Sequence, residues 1–141
     1  MTRILVTGSR RFGDYDLALT VLSEVRWEFG PHFVLVHGGA PGADLLLKEM
    51  AEARGIETEP HAADWAGPCR ATCKPGHRRR RRDGSEYCPA AGNYRNQLMV
   101  DLGADLVIAF PIGESTGTRD CIRRAEAARI PVRVYEQAVA R

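Results

Sequence analysis

The chain has 141 residues, 44% apolar and 27% charged, with a formal net charge of +2. A chain of this length buries about two-thirds of the surface it would expose unfolded, so a single domain over residues 1–141 is expected, not a disordered protein or a stapled miniprotein. The small net charge excludes a chain that is polybasic throughout, and no apolar run nears the ~20 residues of a membrane span, so a cytoplasmic protein with no membrane partner is expected.

Ile4-Leu5-Val6 is a continuous apolar run that reads as a strand from Arg3 to Thr7 covered on both faces, ending at Gly8-Ser9-Arg10. Asp14 can cap a helix whose apolar positions Ala18, Val21, Leu22, Val25 and Phe29 recur at helical spacing, with Gly30-Pro31 as its stop. A second buried strand, Val34 to His37, runs into Gly38-Gly39-Ala40-Pro41-Gly42-Ala43-Asp44 and then a helix with Leu46, Leu47, Met50 and Ala51 on one face, closing at Gly55. Ile56 to His61 is a weaker strand. Residues 66–92 carry almost no periodic apolar signal and read as an inserted loop. A helix over Asn93 to Leu102, a strand Leu106 to Phe110, a Gly/Ser/Thr loop from Pro111 to Thr118, a helix marked by Cys121, Ile122, Ala125 and Ala128, and a strand Val132 to Tyr135 complete the chain.

This alternation predicts an α/β, Rossmann-like three-layer fold with a mostly parallel five-stranded sheet and a Cys/His-rich loop insert. Ligands bind such sheets at the carboxyl ends of the strands, where the loops starting at Gly8, Gly38 and Pro111 would converge. The Gly38 to Asp44 stretch has two readings: an anion site, because first-turn amides lack intrahelical partners and glycine lets a phosphate approach, or a plain strand-to-helix turn. Neither G-x-G-x-x-G after the first strand nor G-x-x-x-x-G-K-[ST] is present, which argues against a dehydrogenase or a P-loop ATPase.

The blocks Val6-Thr7-Gly8-Ser9-Arg10, His37 to Asp44, Arg95-Asn96-Gln97 and Gly113 through Ser115-Thr116-Gly117-Thr118-Arg119-Asp120 together resemble the SLOG superfamily, and within it the YspA-like, cpYpsA-related group. That group is related to the cytokinin-activating phosphoribohydrolases and to the DNA-processing protein DprA. The resemblance implies binding of a nucleotide-derived or NAD/ADP-ribose-like ligand, with N-glycosidic hydrolysis as the associated activity, and a homo-oligomer. It carries a phosphate cradle onto Gly39, Ala40, Gly42 and Ala43, and a second polar contact onto Thr116, Gly117 and Thr118. Gly8, Ser9, Arg10, Gly38, Asp44, Asn96, Gly113 and Ser115 complete the expected ligand-binding rim. The phosphoribohydrolases' catalytic arginine and acid match Arg95 and Asp120: one would clamp phosphate, the other would stabilise an oxocarbenium-like state and orient water. The alternative for this pair is a surface helix pair, or a carboxylate favoured at a helix start. Where those hydrolases have a compact Pro-Gly-Gly-x-Gly-Thr, this chain has isoleucine after Pro111 and two extra residues before Gly117.

Within the insert, Cys69, Cys73, His77 and Cys88 supply four ligands suited to a structural Zn2+, in a segment with no apolar core of its own. The alternatives are incidental thiols in a disordered loop, or a redox pair. His61 is a weaker substitute ligand, Cys121 reads as a small buried hydrophobe, and His37 as a core group or one supporting the site. Arg78 to Arg82 is an unbroken arginine run that cannot be buried as a unit and reads as solvent-facing. It has three readings: a nucleic-acid contact, a bland solvated loop, or a reach over the pocket mouth towards polyphosphates. Three function classes follow: a nucleotide-binding protein with or without hydrolysis, a nucleic-acid-binding module built on the zinc-clipped arginine loop, and a non-catalytic nucleotide sensor.

Overall fold

The computed structural model describes residues 1–137; residues 138–141, the end of the domain expected over 1–141, lie outside the described residues. The elements follow the expected order. They begin with β1 (Thr2–Gly8), α1 (Tyr15–Phe29), β2 (Phe33–His37), α2 (Ala43–Glu52) and β3 (Glu57–Pro60). The insert then contributes β4 (Arg79–Arg80) and β5 (Glu86–Tyr87), before α3 (Ala91–Asp101), β6 (Leu106–Phe110), α4 (Thr116–Ala127) and β7 (Val132–Val134). Asp14 caps α1 as its position predicts, its carboxylate accepting from the Leu17 amide at 3.0 Å.

The five-stranded sheet has the order β3-β2-β1-β6-β7 with every pair parallel, so the fold is α/β and Rossmann-like. Side chains alternate across it, which is why the apolar runs of β1 and β2 are buried on both sides. Ile4, Val6 and Leu35 pack with Leu22 and Val25 of α1 and Leu47 of α2; Leu5, Val36 and Val107 pack with Met99 and Val100 of α3 and Cys121 and Ala125 of α4. Two helices therefore cover each face. The strand order reverses between β1 and β6, the switch point at which open α/β sheets take ligands.

Beyond one-residue shifts at the ends of β1, β2, β3 and β7, three features differ from the sequence reading. The insert is not structureless, because β4 and β5 pair antiparallel as a short hairpin. The loop after β6 is shorter than Pro111 to Thr118, since Thr116 already opens α4. Helix α3 starts at Ala91, inside the expected insert, with Gly92 packed against the Trp65 ring, a contact that helical periodicity alone does not show.

Candidate functional site

The turn after β2 satisfies its own backbone. Asp44 is buried, and its carboxylate accepts from the amides of Gly38 at 2.9 Å and Ala40 at 3.4 Å. The Gly39 amide donates to His37 Nδ1 at 3.0 Å, and the Ala43 amide to the Ser9 carbonyl at 3.3 Å. Of the cradle expected at Gly39, Ala40, Gly42 and Ala43, the amides of Gly39, Ala40 and Ala43 are thus engaged within the protein, as is that of Gly38. Burial pushes the Asp44 carboxyl up to about 6, against the opposing pull of these amides. Burial also pulls the His37 imidazole below its ordinary value. With Nδ1 accepting, its proton sits on Nε2, which has no partner among the described residues.

Among the described residues, amides without a partner lie instead at the start of α4. Its helical ladder begins with Arg119 N–H donating to the Ser115 carbonyl at 3.0 Å, so the amides of Thr116, Gly117 and Thr118 precede it without intrahelical partners. Ser115 sits in left-handed backbone (φ 40°, ψ 60°) and donates its hydroxyl to Thr118 Oγ1 at 2.8 Å. Arg119 fixes the preceding loop, donating to the carbonyls of Gly113 at 2.7 Å and Glu114 at 2.9 Å and pairing with Glu136. Gly113 to Thr118 line a cavity of about 850 Å3 together with Thr7 to Arg11 at the end of β1. This is the β1/β6 switch point. The positive helix end and four arginines, Arg10, Arg11, Arg95 and Arg123, line the cavity against two carboxylates, Glu114 and Asp120, a balance that favours an anion.

Arg95, Asn96 and Asp120 connect the two turns. Arg95 donates through Nη1 to the Gly38 carbonyl at 2.7 Å and the His61 carbonyl at 3.4 Å, and through Nε to Asn96 Oδ1 at 3.1 Å. Asn96, buried, passes the link on, donating at 3.1 Å to both the Gly117 carbonyl and Asp120 Oδ2. Asp120 also accepts from Arg124 Nε at 2.8 Å and stands 3.8 Å from Arg123. Arg95 and Asp120 both line the cavity, but most of their bonding capacity is spent on the protein, which leaves Nη2 of Arg95 for a ligand. Burial lowers the Arg95 value, with Asp44 opposing.

A second lobe of about 840 Å3 adjoins the first and shares Arg10, Ala40, Trp65, Pro89 and Arg95 with it. Gly38, Gly39 and Pro41 line this lobe, not the first. Of the residues on the cleft, Trp65 and Arg123 have no place in the expected ligand set, whereas Arg79 and Arg81 belong to the run for which a reach over the pocket mouth is one of three readings. The spacing of Arg123 from Asp120, one helical turn, was a readable signal; nothing local to Trp65 marks it.

The insert gathers Cys69, Cys73, His77 and Cys88 so that one donor atom of each lies within 4.8 Å of all the others. The Cys69 sulfur is 3.0 Å and the Cys88 sulfur 3.3 Å from His77 Nε2, and Cys73 and Cys88 are 3.9 Å apart, too far for a disulfide. Tetrahedral zinc with ligand distances of about 2.3 Å to sulfur sets sulfur pairs about 3.8 Å apart, so these donors fit one ion. His61 is not among them, since it pairs with Glu59 at 2.7 Å. Cys121 is fully buried, and burial pushes its thiol up to about 11. The Tyr94 hydroxyl, 2.8 Å from Cys73 Sγ, holds that thiol below its ordinary value. The arginine run is not uniformly solvent-facing. Arg78 is half-buried and donates to the Gly67 carbonyl at 2.8 Å and towards Cys69 Sγ at 3.6 Å, so its burial is balanced by thiol and carbonyl partners.

No helix among the described residues is long and apolar enough to cross a membrane. The model of the YspA, cpYpsA-related SLOG family matches residues 2–67, from β1 to the start of the insert. The chain is also 36% identical over 137 residues to the Gene 61 protein of Mycobacterium phage D29, a match covering 94% of each. It belongs to the YspA, cpYpsA-related SLOG family.

Proposed function

We propose that this protein binds a nucleotide-derived, ADP-ribose-like molecule in the cleft at the β1/β6 switch point, with a phosphate at the N-terminus of α4. The observation that carries this reading is the set of unpartnered amides at Thr116, Gly117 and Thr118 on a cavity wall shared with Arg10, Arg11 and Arg123. Family membership supports a nucleotide-related ligand. The Cys69, Cys73, His77 and Cys88 cluster is proposed to hold Zn2+; four protein ligands leave no open position, so its role is structural, and Arg78 balances the excess thiolate charge.

Hydrolysis of an N-glycosidic bond is a second reading, favoured by the placement of Asp120 on the cleft wall. One of its carboxylate oxygens is occupied by Asn96 and Arg124, which supports a binding role ahead of a catalytic one.

Gly117→Asp tests the binding reading. A Cβ at Gly117 meets open space, and a carboxylate in the first helical turn suits the dipole, so the fold is retained while an anion is repelled. Calorimetric titration with AMP and ADP-ribose is expected to show binding by the zinc-loaded wild type and none by the variant. Unchanged affinity in the variant overturns the placement. Base release from AMP that stops in Asp120→Asn while binding persists would establish the hydrolytic reading.

A further inference from the structure

The hairpin register sorts the arginine run by face. Arg79 pairs with Tyr87 and Arg80 with Glu86, while the Arg81 amide donates to the Ser85 carbonyl at 2.8 Å. Cross-strand partners share a face and successive residues alternate, so Arg79, Arg81 and Tyr87 stand together and Arg80 stands with Glu86 on the other side. The first group lines the second lobe of the cleft. There the Arg81 guanidinium carbon lies 4.6 Å from the centre of the Tyr87 ring, and Tyr87 meets Trp65 edge-on at 6.2 Å. Among the described residues neither Arg79 nor Arg81 makes an ion pair, although Asp83 stands near Arg81. Two strands of two residues cannot hold this arrangement alone. Its feet are His77 and Cys88, both in the metal-ligand cluster, and the Cys88 amide is tied to the Trp65 carbonyl at 2.9 Å.

We propose that Arg79 and Arg81 form a second anion subsite, assembled by the metal cluster, which receives a phosphate group remote from the one at α4. The ligand class is then a nucleotide with at least two phosphate groups, one for each lobe, its organic part lying against Trp65 between them. The inference rests on the cleft being the nucleotide site, and it adds a requirement for the metal: without it the two feet of the hairpin, His77 and Cys88, are no longer tied to each other and the second lobe loses its cationic wall.

The test uses the full chain, zinc-loaded, titrated with inorganic pyrophosphate and separately with AMP. Arg79→Ser/Arg81→Ser is expected to weaken pyrophosphate binding about tenfold or more while leaving AMP within about twofold, because two charge-assisted contacts are lost from one lobe only. Arg80→Ser/Arg82→Ser removes the same charge from two positions that do not line the cleft and should change neither. Gly117→Asp should abolish AMP binding and leave pyrophosphate binding that is sensitive to Arg79→Ser/Arg81→Ser. Stripping the metal, with the chelator dialysed away and circular dichroism confirming that the main fold persists, should reproduce the Arg79/Arg81 loss. Equal losses in the two arginine pairs would mean a general field and overturn the subsite. So would pyrophosphate binding that depends on Gly117 alone, or that survives metal removal. The expected pyrophosphate pattern without AMP binding would defeat the nucleotide reading and leave the subsite standing; AMP binding with pyrophosphate indifferent to Arg79 and Arg81 would do the reverse.

Discussion

The Arg95 guanidinium lies against Gly38, donating to its carbonyl at 2.7 Å and filling the space a Cβ there would occupy. Gly38→Ala must displace the guanidinium, and losing a charge-assisted bond costs about 1.5–3 kcal/mol. Arg95→Ala removes the same bond from the other side. Urea unfolding of both single variants and the double is expected to give a double-mutant cost smaller than the sum, with the shortfall about 0.5–3 kcal/mol. Strict additivity would mean that the two residues do not act through one contact.

The turn's other glycines separate by surroundings. Gly42 has φ +87°, and a Cβ there would collide with the Ser9 carbonyl and lie 2.6 Å from the Arg10 carbonyl carbon, backbone that cannot yield cheaply. Gly42→Ala is expected to cost about 4 kcal/mol or more. Gly39, at φ +70° with open space around its Cβ position, should cost only the left-handed penalty of about 1–2 kcal/mol on change to alanine. Thermal melts of the two variants side by side check the ordering.

Asp44 makes stability depend on pH in a defined direction. Its carboxyl is raised to about 6 in the folded protein from 3.8 in the unfolded chain, so the folded state holds the proton more tightly. Its stabilising contribution is complete below about pH 4 and is lost as pH rises to about 6, a swing of about 3 kcal/mol. His37, lowered by burial, acts oppositely: stability is lost as pH falls below about 6.5. Asp44→Asn keeps His37, so denaturant unfolding of wild type and variant from pH 4 to 7 isolates the carboxyl. Wild type should lose stability relative to the variant across that range, and a constant difference would contradict the assignment.

Metal removal should act on the insert and spare the sheet. The cluster lies outside both buried apolar clusters, so chelation is expected to open Arg78 to Arg82 to trypsin while circular dichroism of the main fold persists. Native mass spectrometry should give one zinc per chain, lost in Cys88→Ser and kept in Cys121→Ser, whose thiol is buried on α4. Loss of metal in the Cys121 variant would place the ion elsewhere.

The strands and helices were legible because their apolar runs are long enough to show a period, and Asp14 and Gly30 mark the ends of α1. The cysteine cluster was legible from residue type. The destination of the turn's amides was not: Asp44 reads from the sequence as part of the ligand rim, and only the fold around it shows that it accepts from Gly38 and Ala40. Arg95 likewise reads as a phosphate clamp until its Nη1 is seen on Gly38. The sorting of Arg78 to Arg82 escaped because two-residue strands carry no period of their own. Their alternation appears only once Arg79 is paired with Tyr87.

The insert interrupts the chain between β3, at one edge of the sheet, and α3, on the opposite face from α1 and α2. The chain leaves β3 at its carboxyl end, and that passage from one face to the other runs beside the cleft. Extra contour length added at this crossover therefore becomes roofing over the cleft, as Arg79, Arg81 and Tyr87 show, whereas the same length added between β1 and α1 or β2 and α2 would crowd the turns themselves. With its base closed by the Cys88 to Trp65 bond, this segment can be lengthened, shortened or recharged across its tip while the strand order and both switch-point turns stay as they are.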